Sequence, residues 1–146
     1  MYEPIRTKSV HSMADDAGFP HRSREEELDI QLAGHLAALL AVTDELRALT
    51  PSADLDDAAE QLAHQVARLR GGTLPPRSSV AAAILPHSST RGRGPLPHLS
   101  ALHQRAHALA GRALVVAASR ADTAAAILAA GRMDAHADAT RLVGAP

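Results

Sequence analysis

The chain has 146 residues, 46% of them hydrophobic, with 15 basic against 16 acidic side chains, nine histidines and no cysteine. That length suits one domain with a core of its own, and the lack of cysteine excludes a disulfide scaffold, a thiolate metal site and cysteine catalysis. A net charge of −1 gives no broad positive field for nucleic acid to follow.

Much of the apolar content is alanine. Leu, Ile, Val and Phe together supply only 31 of the 146 residues, close to the range in which chains stay disordered. Alanine favours helix but buries little area, so the helices must approach closely, and a partner surface is expected to add to their stability. A dimer is therefore expected. The charge is also unevenly placed: residues 1–60 carry 13 acidic and 5 basic side chains, residues 61–146 carry 3 and 10. In an antiparallel bundle these halves lie side by side, and intramolecular attraction is the simplest use of the asymmetry. All basic residues but Lys8 are arginine, which together with the alanine points to a high-GC coding bias.

From Met1 to Arg22 the residues Pro4, Gly18 and Pro20 interrupt a polar stretch, which predicts a disordered arm, and nothing in it reads as a signal peptide or anchor. Ser23 followed by Glu26 has capping-box spacing, and Glu25, Glu26 and Glu27 suit the positive end of a helix dipole. A first helix is predicted from there through Leu28, Leu32, His35, Leu39, Val42, Leu46 and Leu49, one stripe at alternating steps of four and three, until Pro51 stops it. Thr50 or Ser52 caps a second helix through Leu55, Ala59, Leu62, Val66 and Leu69, which Gly71 and Gly72 end. The short link makes the two an antiparallel hairpin.

Residues 73–97, with five prolines and two glycines, predict a long loop in which only Val80 to Leu85 forms a helical turn. Beyond Pro97 the row Leu99, Leu102, Ala106, Leu109, Ala113, Val116 keeps helical period, and alanine carries the helix on to about Ala130, roughly 50 Å at 1.5 Å per residue. Ser119 to Asp122 is a possible break in it. Gly131 is the expected boundary before a short final helix, Met133 to Val143. The most apolar stretch, Ala113 to Ala130, is broken by Ser119, Arg120 and Asp122 and is too weakly hydrophobic to span a membrane. A soluble, cytoplasmic protein is expected.

His103 and His107 stand i, i+4 on one helix face, a spacing that can ligate a metal. The residues between them, Gln104, Arg105 and Ala106, lack the glutamate of the helical zinc-hydrolase motif, and no glutamate stands three residues before a histidine as di-iron bundles require. One composite metal set stays open: His35 with His103 and His107, on stripes that should face each other. Against it, a histidine at the edge of a buried stripe more often simply donates a hydrogen bond. His64 is expected to be solvated, and His11, His21, His87, His98 and His136 are placed in arms, loops or tail.

No nucleophile elbow, phosphate loop or dinucleotide fingerprint is present. Arg91, Arg93, Arg105, Arg112 and Arg120 make a basic strip without interleaved aromatics, better read as a solvated face than as a nucleic-acid surface.

The Ala/Leu/Arg helices around His35-Leu36-Ala37-Ala38-Leu39 and Leu99-Ser100-Ala101-Leu102-His103 resemble those of small all-helical proteins of unknown function from high-GC Gram-positive bacteria. The likeness covers about residues 24–130, implies a helical fold and transfers no activity. The sequence as a whole predicts an all-α antiparallel bundle of three to four main helices: an arm over residues 1–22, then one domain over 23–146 with a Pro/Gly-rich loop at about 71–97. Its expected function is that of a non-enzymatic interaction or regulatory module that self-associates. The alternative is a bundle that binds a transition metal or small ligand through His35, His103 and His107.

Overall fold

The computed structural model describes residues 22–77 and 95–143. The predicted arm except Arg22, the predicted turn at Val80 to Leu85, and Arg91 and Arg93 lie outside them. Four helices form, α1 (Arg24–Leu49), α2 (Ala53–Leu69), α3 (Pro95–Arg120) and α4 (Thr123–Val143), with no strand among the described residues.

Helix α1 starts at the expected capping box: the Glu26 N–H donates to Ser23 Oγ at 3.0 Å, and the Ser23 N–H donates to Glu26 Oε1 at 2.9 Å. It is the central strut, packed on α2 along one side and on α3 along the other. Leu32, Leu36, Leu39, Leu40, Val42 and Leu46 are accordingly almost wholly buried. After Pro51, the Ser52 hydroxyl accepts the Leu55 N–H at 3.1 Å and caps α2. At the far end Gly71 and Gly72 take φ of +77° and +99°, and the Gly72 N–H reaches back to the Ala67 carbonyl at 2.6 Å, a closure that residues without a Cβ make most easily.

The long Ala-rich helix is broken within Ser119 to Asp122, the break point that the sequence offered, and does not run on to Ala130. Ala121 takes φ of +58°, the Asp122 N–H returns to the Ala117 carbonyl at 2.9 Å, and Asp122 caps α4 by accepting the Ala125 N–H at 3.2 Å. Here alanine occupies the left-handed position that Gly71 holds after α2. Two helices of about 39 and 31 Å therefore replace the predicted 50 Å helix and its short successor. Gly131, the expected boundary, lies inside α4. Helix α3 also begins earlier than predicted, with Pro95 and Pro97 in its first turn, where a missing N–H is harmless.

Ala121→Gly should stabilise the protein by about 0.5–1 kcal/mol, because the left-handed conformation strains any residue with a Cβ. A higher urea midpoint with an unchanged denaturant slope checks this.

Helices α3 and α4 form a tight hairpin, with Ala106, Ala110, Ala113 and Ala117 buried together with Ala125 and Ala129. Small side chains let the axes approach closely; a Cβ at Gly111 would already stand 3.6 Å from Met133 Cε. Ion pairs give the direction of each helix. Arg120 near the end of α3 meets Asp29 near the start of α1 at 3.1 Å, while Arg68 near the end of α2 meets Asp122 at the start of α4 at 2.7 Å. Every neighbouring pair is thus antiparallel, and the chain crosses the length of the bundle between α2 and α3. Along that crossover Arg77 makes a two-nitrogen contact with buried Asp44, at 2.9 and 3.0 Å.

Asp29, Asp44 and Asp54 of the acidic half pair with Arg120, Arg77 and Arg132 of the basic half. The asymmetry seen in the sequence serves intramolecular attraction. Helices α2 and α4 touch only sparingly, and the Arg68–Asp122 and Arg132–Asp54 pairs join that seam. Burial pushes the Asp122 carboxyl up, but hydrogen bonds from Arg68 and the Ala125 N–H outweigh it and hold Asp122 below the usual carboxylate range. No helix among the described residues is long and apolar enough to cross a membrane.

A polar cleft between the α1–α2 turn and α4

At the end of the bundle where α1 turns into α2, an open cleft of about 260 Å³ lies against α3 and α4. The turn contributes Thr50, Pro51 and Ser52, α2 contributes Asp54 and Leu55, α3 contributes His103, and α4 contributes Arg132 and His136 among small alanines. Helical period explains the α4 face: Ala125, Ala129, Arg132 and His136 follow at steps of four, three and four and form one buried row.

His103 and His136 meet ring to ring, Nδ1 to Nδ1 at 3.0 Å, with centroids 5.3 Å apart. On its other side His136 Nε2 faces Arg132 Nη2 in a long contact of 3.5 Å. A guanidinium only donates, so Nε2 of His136 must be the acceptor and its proton sits on Nδ1. That Nδ1–H then donates to His103 Nδ1, which leaves the His103 proton on Nε2. His103 Nε2 makes no hydrogen bond, and Arg132 Nε is the buried unpartnered side-chain nitrogen among the described residues, so the Nε2–H opens on the cleft. Donors thus run one way, from Arg132 through His136 and His103 to the cleft.

Protonating His103 would set two donors against each other at the 3.0 Å Nδ1 contact, and protonating His136 would place its Nε2–H against the Arg132 guanidinium. Burial, then the Arg132 charge, then His103 push the His136 pKa down to about 3, and burial and Arg132 lower that of His103. Both rings are neutral near pH 7. Arg132 is itself 6% exposed, and its Nη1 donates to both oxygens of Asp54, at 3.1 and 3.2 Å. Asp54 is the open half of the pair, with 68% of its side chain exposed.

The expected metal set was His35, His103 and His107. His103 is turned to His136, His35 and His107 are half-buried on α1 and α3, and no group of three or more His, Asp or Glu side chains among the described residues can hold a metal ion. His64 is exposed, as expected. The residue missed was His136, which a helix boundary at Gly131 had assigned to the tail, and Arg132 fell with it. Their i, i+4 spacing in register with Ala125 and Ala129 was the available signal.

Fold and cleft together define a four-helix bundle with one long crossover and a polar site beside its α1–α2 turn. Compared with known proteins, the chain matches no family model, no curated protein and no solved structure.

Proposed function

We propose that this protein is a non-enzymatic binding module whose working site is the cleft at His103, Arg132 and His136. One observation carries the reading: a buried arginine and two buried histidines are held in a single donor direction that ends at an open cleft. A core of alanine and leucine packs without such groups, and burying them opposes folding. Catalysis has no support from the same residues. The Ser52 hydroxyl caps α2, the Thr50 hydroxyl donates to the Leu46 carbonyl, and both Nδ1 atoms of the histidine pair are engaged with each other. The cleft, at about 260 Å³, has room for about nine heavy atoms, judged by the ~30 Å³ that a water occupies in the liquid.

The test is a titration of isotope-labelled protein with a library of compounds of that size. Shifts gathered at Thr50, Leu55, Ala135 and Ala139 are expected; a library that moves none of them contradicts the reading.

A second reading, self-association, is favoured by a separate observation. Val115 and Ile127 are 67% and 68% exposed and stand six residues to either side of Ala121, hence level with each other on the α3–α4 hairpin. A second copy related by a two-fold axis along the helices would set α3 against α4, matching exposed Arg105 and Arg112 with exposed Asp134 and Asp138. Sedimentation equilibrium should give a dimer at micromolar concentration, and a monomer there removes this reading. A cytoplasmic location is part of the proposal and rests on the sequence reading alone.

A further inference from the structure

The groups that face the cleft are mostly donors. His103 offers Nε2–H by the tautomer argument, and Arg132, 6% exposed, lies in the wall with its Nη1 on the Asp54 carboxylate. Helix α2, 17 residues long, begins at the same mouth and adds the positive end of its dipole. The one anionic acceptor among the lining residues is Asp54, on an exposed side chain. Its two oxygens show how a carboxylate sits on Arg132. The remaining lining residues, Pro51, Leu55, Ala135 and Ala139, are apolar.

We propose that the cleft is the seat of a short aliphatic carboxylic acid, whose carboxylate takes Arg132 from Asp54 and accepts the His103 Nε2–H while its chain lies on Leu55, Ala135 and Ala139. The inference rests on the cleft being the binding site and names its ligand class. Asp54 is a placeholder: exposed and at a helix start, it swings into water without stranding its own charge, whereas Arg132 cannot follow it. A monocarboxylate fits better than a phosphate dianion, because one arginine and two neutral rings supply a single positive charge. An acid of roughly four to eight carbons fills the cleft's volume of about 260 Å³.

The experiment is an NMR titration of the intact protein with butyrate, 1-butanol and butylamine at pH 7.5, on the wild type and on Asp54→Asn. Butyrate should bind at least about tenfold tighter than the alcohol or the amine, the difference one charge-assisted contact makes. Asp54→Asn removes the competing carboxylate and should tighten butyrate about tenfold further, leaving butanol unchanged. Arg132→Gln should abolish the preference for butyrate; should that variant fail to fold, Asp54→Asn, altered at an exposed position, still decides. Butyrate binding that is no tighter in Asp54→Asn overturns the placeholder role and the proposal with it. If butanol or butylamine binds best, the cleft is a binding site and the carboxylate assignment alone falls. If none of the three binds, both readings fall.

Discussion

Lowering the pH from 7.5 to 4 should destabilise the fold by about 3 kcal/mol through His136 alone. An ordinary histidine titrates at about 6.5, whereas His136 in the folded chain titrates at about 3. Between these values the unfolded chain binds a proton that the folded chain refuses, so stability falls by about 1.4 kcal/mol for each unit of pH lost. The contribution is fully present above pH 6.5 and drains away as the pH falls towards 3. His103, whose pKa is also lowered, acts in the same direction. Urea midpoints at pH 7.5, 5.5 and 4.5 measure the effect. His136→Leu supplies the control: it should lose about 1–2 kcal/mol at pH 7.5, because Arg132 and His103 each lose a partner, yet show a shallower pH dependence above pH 4.5 from which the His136 share is gone and the His103 share remains. A wild-type midpoint that is flat from pH 7.5 to 4.5 would exclude a buried neutral pair.

Leu36→Ala should cost about 3–4 kcal/mol. Leu36 is 0% exposed in the middle of the strut that carries both α2 and α3, and a truncated buried leucine leaves a cavity which its surroundings only partly fill. A loss of this size is a large share of the 5–15 kcal/mol that holds an ordinary domain together. Val115→Ala on the outward face of α3 should change stability by less than about 0.5 kcal/mol in the monomer. Thermal denaturation of the two variants side by side checks both values, and equal effects would mean that α1 is not the central element.

Where the sequence carried strong local signals, the fold was legible. The Ser23/Glu26 box, the Pro51 stop and the paired glycines after α2 placed α1 and α2 to within a residue or two. The alanine-rich half was harder: the polar stretch Ser119 to Asp122 marked where the helix could break, but no glycine or proline there set that against a helix running on to Ala130. Ala121 adopts a conformation that sequence reading reserves for glycine, and what holds it is tertiary: Asp122 is tied to Arg68 on α2 across 54 positions. Gly131, the residue with the right letter for a boundary, is an ordinary helical position. The misplaced boundary then concealed the site, since His136 and Arg132 belong to the buried face only when α4 runs unbroken. His103 was identified from its place beside the apolar stripe, but its partner lies 33 positions away on a helix whose register depended on that turn. The charge asymmetry needed no register, and ion pairs between the two halves followed from it.

The measurement that tests the site most directly is the protonation state of each nitrogen in His103 and His136, read from the ¹⁵N shifts of labelled imidazole rings at pH 7.5. Arg132 beside His136 Nε2 and the 3.0 Å contact between the Nδ1 atoms require two neutral rings, with the proton on Nδ1 in His136 and on Nε2 in His103. Finding those two tautomers would fix the donor direction towards the cleft; an imidazolium, or a proton on Nε2 of His136, would contradict it.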